Sequence, residues 1–140
     1  MKKRFMRMVV LVLILSMAIL PATMAAEARA SYYIDNCNAR IAATGNGNLR
    51  INFNITGTGL MTNIGATRID VKNSNGLTVK TFFSANSLYS NMMGSNAYYH
   101  LSSVTYAGTS GSYYYAVVTF YAGNSTGSDT DVYMTASVMA

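Results

Sequence analysis

The stretch Asn48–Gly57, NLRINFNITG, alternates without a break. Leu49, Ile51, Phe53 and Ile55 fall on one side, and Arg50, Asn52 and Asn54 on the other. A strict two-residue period is the side-chain alternation of a strand with one buried face and one wet face. No helix can satisfy it. The same period returns in TRIDVKN, where Ile69 and Val71 oppose Arg68, Asp70 and Lys72. GLTVKTFF follows the turn Asn73-Ser74-Asn75-Gly76, whose Asn-Gly pair suits the positive φ of a tight hairpin.

Further strands are predicted in YYHLSSVTY, in GSYYYAVVTFYAG, and in DTDVYMTASVM, the last with Val132, Met134, Ala136 and Val138 on one face. An N-terminal strand alternates Cys37, Ala39, Ile41 and Ala43. No proline follows Pro21, and Gly, Asn, Ser and Thr punctuate the chain at short intervals. About seven short strands at this spacing predict an all-β fold, a single β-sandwich of antiparallel strands. A small closed barrel is the alternative.

The N-terminus reads differently. Lys2, Lys3, Arg4 and Arg7 precede an apolar run from Met8 to Leu20, and small residues lead to Ala28-Arg29-Ala30. These are the three parts of a secretory signal peptide, and the run is shorter than the roughly 20 residues that span a bilayer. The expectation is a signal peptide over 1–30, cut after Ala30 in preference to Ala28, and a secreted β-sandwich domain over 31–140. No cysteine follows the apolar run directly, as a lipid anchor would require.

Composition then has to be reread without that segment. The whole chain carries a net charge of +5, but Lys2, Lys3, Arg4, Arg7 and Arg29 lie within residues 1–30, as does Glu27. Residues 31–140 keep five cations against four aspartates, a net charge of +1. Nucleic-acid binding rests on clustered positive charge, and none is predicted here. Cys37 is the only cysteine, so no internal disulfide forms; its place in an alternating strand predicts a buried thiol.

The segment YYYAVVTFYAGNSTG, followed by a further strand, resembles the F–G region of fibronectin type III and immunoglobulin-like domains through Ala122-x-Asn124-x-x-Gly127 after alternating Val118 and Phe120. Ala116 stands where the family has an aromatic residue. Tyr114, in the same phase, would be the tyrosine of the E–F corner. The Cys…Trp…Cys hallmark of true immunoglobulin domains is absent. Through HLSSVTYAGTSGSYYYAVVTFYAG, residues 31–140 also look like the uncharacterised small secreted β-sandwich proteins of Gram-positive bacteria.

If Tyr114 is inward, Ala116, Val118, Phe120 and Ala122 join it. Tyr113, Tyr115, Val117, Thr119 and Tyr121 then face outward. The resemblance implies that this strand lies between the strand of Arg68, Asp70 and Lys72 and the strand of Asp131, Tyr133 and Thr135. The candidate contact surface is therefore Tyr113, Tyr115, Tyr121 and Tyr133 with Arg68 and Lys72. Tyrosine offers an apolar body with a polar tip to a sugar ring or a partner protein. Tyr and Thr also favour strands for their own sake.

Catalytic chemistry has little to work with. Residues 31–140 contain no Glu, four Asp and one His, His100. Ser110 lacks a G-x-S-x-G elbow, and Cys37 would need a nearby cation or His100 to become a nucleophile. Asn124, Asp129 and Asp131 in GNSTGSDTD supply fewer oxygens than calcium usually takes, and a solvated hairpin tip is the simpler reading. No cofactor is expected. The sequence thus predicts a secreted, non-enzymatic binding module that meets an extracellular glycan or protein. A structural or self-assembling component, a homo-oligomer through its strand edges, is the alternative.

Overall fold

The computed structural model describes residues 31–140. The signal peptide expected over 1–30, with its cleavage site, lies outside the described residues. Seven antiparallel strands follow: β1 (Ile34–Gly45), β2 (Asn48–Asn73), β3 (Thr78–Phe83), β4 (Met93–Ala107), β5 (Tyr113–Asn124), β6 (Gly127–Met134) and β7 (Val138–Met139). Helix is confined, among the described residues, to a short 3-10 segment over Ser87–Met92. No described helix is long and apolar enough to cross a membrane.

The strand count matches the expectation through one fusion and one split. NLRINFNITG and TRIDVKN are parts of a single strand, the 26-residue β2. DTDVYMTASVM instead divides into β6 and β7.

β2 organises everything else. Its first half pairs with β1 on one side and β4 on the other, from Asn48 to Thr56. Pairing with β4 is then interrupted between Thr56 and Met61. Its second half pairs with β5 from Asn63 to Asn73 and with β3 from Arg68 to Lys72. The sheet therefore curls about the Gly57–Leu60 stretch, and its two halves face each other. β1 and β6 touch across the opening without pairing, so the sheet does not close into a barrel.

The turns are explained by local chemistry. Asn46 and Gly47, with φ of 53° and 78°, form a two-residue left-handed turn between β1 and β2. At the β2–β3 turn, Asn73 Oδ1 accepts from the N–H groups of Asn75 and Leu77, both at 3.0 Å.

The core lies between the two halves. Leu49, Ile51, Phe53 and Ile55 are fully buried, as the alternation predicts, and so are Ile69, Val71, Ala116, Val118 and Phe120. Phe53 and Phe120 meet edge to face across the interior, with centroids 6.3 Å apart. The 3-10 segment closes one end: Tyr89 packs edge-on against Phe82 at 5.0 Å, and Met92 is fully buried.

Tyr114 is buried, and its hydroxyl accepts a 3.0 Å hydrogen bond from the Thr109 N–H, five residues upstream. Its ring also meets Tyr106 edge-on at 5.5 Å. The side chain thus ties the β4–β5 connection to the core.

Candidate functional site

β5 keeps the predicted phase along its length. Tyr114, Ala116, Val118, Phe120 and Ala122 are buried, while Tyr113, Tyr115, Val117, Thr119 and Tyr121 line the outer face. The expected neighbours are also present on that face. Lys72 lies opposite Tyr115, Asp70 opposite Val117, and Arg68 opposite Thr119.

β6 reverses the expectation. Asn124 pairs with Gly127 across a two-residue turn, which sets Val118 opposite Tyr133 and Phe120 opposite Asp131. Directly opposed residues share a face. Tyr133 therefore belongs to the inner phase and packs against the core, while Val132 and Met134 stand on the outer face at 61% and 66% exposure. A two-residue turn allows no other parity, so the hairpin overrides the hydrophobic pattern of the strand. The Asn124-Ser125-Thr126-Gly127 spacing was the available signal. Thr135 is buried opposite the same strand, its backbone N–H donating to the Ala116 carbonyl and its Oγ1 accepting from the Ala116 N–H. The register then slips, so that Val138 faces inward opposite Tyr114 and Met139 outward opposite Tyr113.

The four tyrosines consequently do not form one platform. Tyr113 and Tyr115 sit together at one end of β5. Tyr121 is six residues further, roughly 20 Å away at strand rise, and its hydroxyl lies over the bare Cα of Gly123. Tyr133 is on the other side of the sheet. Arg68 is held by Asp70 at 2.9 Å and stacks over the Phe83 ring. Lys72 donates to Thr78 Oγ1 at 2.9 Å and to the Gly76 carbonyl. Both cations are thus committed within the sheet. What the outer face offers instead is an apolar strip of Tyr113, Tyr115, Val117, Val132, Met134 and Met139, of which the alternation places Val132 and Met134 on the inner face.

The remaining candidates have structural partners. Cys37 and His100 flank Ile55 in one inner row, about 10 Å apart at two strand spacings. His100 Nε2 lies 2.9 Å from the Asn91 carbonyl, and its ring covers Gly94. Asp129 Oδ2 accepts from Ser31 Oγ at 2.8 Å, Tyr32 N–H at 2.7 Å and Tyr33 N–H at 3.0 Å. The Ser31 bond, followed by those backbone donors, holds its carboxyl below the usual carboxylate range. Asn124 Oδ1 accepts from Thr126. The loop weighed for calcium therefore anchors the start of the domain and its own turn.

Cys37 is half-buried, where its place in an alternating strand predicts a buried thiol, and its Sγ lies 3.5 Å from Asp131 Oδ2. Burial, then the negative charge and hydrogen bond of Asp131, push the thiol up to about 12 from an ordinary value of 9.0. The thiolate is the reactive species. Cys37 is therefore expected to alkylate far more slowly at pH 8 than a free cysteine, and Asp131→Asn to accelerate it. Iodoacetamide kinetics followed by mass spectrometry check this; a wild-type rate equal to that of an unfolded control contradicts it. A raised folded pKa contributes stability that is complete below the unfolded value and fades as pH rises toward 12. Alkaline denaturation should accordingly set in earlier than for Cys37→Ala.

No protein-family model matches this chain, and no curated protein matches it. What the fold and these surfaces define is a mostly antiparallel β domain, built as a curled sheet with two exposed outer faces.

Proposed function

We propose that this chain is a secreted, non-enzymatic binding module that acts outside a bacterial cell on a cell-surface glycan or protein. The observation that carries the reading is the outer strip of β5, β6 and β7. Tyr113, Val132, Met134 and Met139 are each at least half exposed there and adjoin Tyr115 and Val117. Contiguous exposed apolar side chains of this kind mark contact surfaces more often than solvated ones. The fold reading within the proposal is an immunoglobulin or fibronectin type III-like sandwich. Two features support it: the neighbour order β1-β2-β4 with β3-β2-β5-β6, and the Tyr114–Thr109 bond at the β4–β5 corner.

The test is retention of the purified protein on cell-wall sacculi and on immobilised surface-protein extract. The double variant Tyr113→Ser/Met134→Ser is expected to keep its circular dichroism and melting midpoint while losing at least about tenfold in affinity. Unchanged retention of that variant would show the strip to be idle.

Self-assembly is the second reading, and it has its own observation. No Lys, Arg, Asp or Glu occurs between Lys80 and Asp129. Within that span β4 pairs from Tyr99 to Ala107 with β2 alone, which leaves a neutral edge. Size-exclusion chromatography over a concentration series separates the readings: a monomer throughout favours the binding module.

A further inference from the structure

The outer face of the β1–β2–β4 half is built from different chemistry. Its rows run Asn36–Thr56–Tyr99, Asn38–Asn54–Leu101, Arg40–Asn52–Ser103 and Ala42–Arg50–Thr105. Arg40 and Arg50 are exposed and diagonal to each other across β1 and β2, a separation of about 7–8 Å. Neither has an acidic partner among the described residues, where the ion pair present is Arg68–Asp70 on the opposite face.

The aspartates are elsewhere as well. Asp129 and Asp131 are on β6, and Asp70 is held by Arg68. Asp35 stands five residues before Arg40 at the end of β1, roughly 17 Å away along the strand. Two like charges on neighbouring positions repel, and nothing on this face relieves them.

We propose that this face is a second binding site, and that its ligand is an acidic, carboxylate-bearing glycan. The guanidinium fork matches a carboxylate in bidentate geometry, and two of them side by side can hold successive acidic groups of one chain. Around them, the exposed amides of Asn36, Asn38 and Asn52 and the half-buried Asn54 each present a donor pair and an acceptor. Hydroxyl groups need that combination. Tyr99, half exposed at one end of the grid, supplies an apolar ring face for a sugar. A polyphosphate backbone fits less well, because its affinity grows with the number of cations engaged, and this face has two.

Affinity electrophoresis and calorimetry of the purified protein test the proposal, with polygalacturonate as the probe and neutral dextran and a single-stranded DNA oligonucleotide as comparators. Polygalacturonate should bind and dextran should not. The variant Arg40→Gln/Arg50→Gln should weaken binding at least about tenfold with an unchanged melting midpoint. Asn52→Ala/Asn54→Ala should weaken it as well, because the amides read hydroxyls rather than charge. Tyr113→Ser/Met134→Ser, on the opposite face, should leave it intact. The proposal is overturned if polygalacturonate fails to bind, or if the double-arginine variant binds like the wild type. Unaltered binding by the double-asparagine variant would reduce the face to a generic anion patch and also overturn it. So would tighter binding of the DNA oligonucleotide, which would transfer the site to nucleic acid.

Discussion

Replacing Phe53 with alanine is expected to destabilise the domain by about 3–5 kcal/mol, the usual cost of deleting a buried phenylalanine. The side chain is 1% exposed and stands at the centre of the first half of β2, where the two halves of the sheet meet. Its ring meets Phe120 edge-on at 6.3 Å, and its neighbours in the register are Ala39 on β1 and Ser102 on β4. Those small side chains cannot spread to fill the space, so a cavity persists. A double-mutant cycle with Phe120→Ala should return a coupling of about 0.5–1.5 kcal/mol for the aromatic pair. Urea unfolding measures both; a loss below about 1 kcal/mol would mean that Phe53 does not face the core.

Gly65→Val is expected to cost at least about 3 kcal/mol, enough to abolish soluble expression if the domain is of ordinary stability. Gly65 is paired on both sides, with Tyr121 of β5 and Met93 of β4. Its φ of +155° is one that side-chain-bearing residues rarely adopt, and a Cβ would run into the Met92 carbonyl oxygen and come within 2.8 Å of Met93 Cα. The obstacle is backbone, which cannot rotate away. Gly59 is the control in the same strand: a Cβ there meets nothing within 4 Å. Gly59→Ala should therefore change stability by no more than about 0.5 kcal/mol. Thermal melts of the two variants decide the matter, and equal melting midpoints would refute the assignment.

Much of the interior was legible because alternation is a local property. Leu49 through Ile55 and Tyr114 through Ala122 each declare an inner face by their own period, and both are buried as declared. The candidate site was less legible. Tyr113, Tyr115 and Tyr121 do lie outward with Arg68 and Lys72 on the same face, yet Tyr121 covers Gly123 and both cations are taken by neighbours in the sheet. The apolar residues of β6 point to Tyr133 as outward, whereas the structure sets it on the inner side opposite Val118. An edge strand need not bury them; its parity came from the two-residue turn, and its inner polar groups found partners in the N-terminal segment and Cys37.

By itself the sequence determined the all-β character of residues 31–140, the Asn73–Gly76 turn, and the inward phase of Leu49 through Ile55, of Ile69 and Val71, and of Tyr114 through Ala122. Each of these follows from the chemistry of a few consecutive residues. Tertiary structure alone decided that two predicted strands are one continuous β2, and that a Cβ at Gly65, unlike one at Gly59, would meet backbone. It also decided that Val132 and Met134 are surface, and that Arg40 and Arg50 share an unneutralised face. Those outcomes depend on which strands become neighbours. Neighbour choice is a competition among distant segments, and no local period records its result.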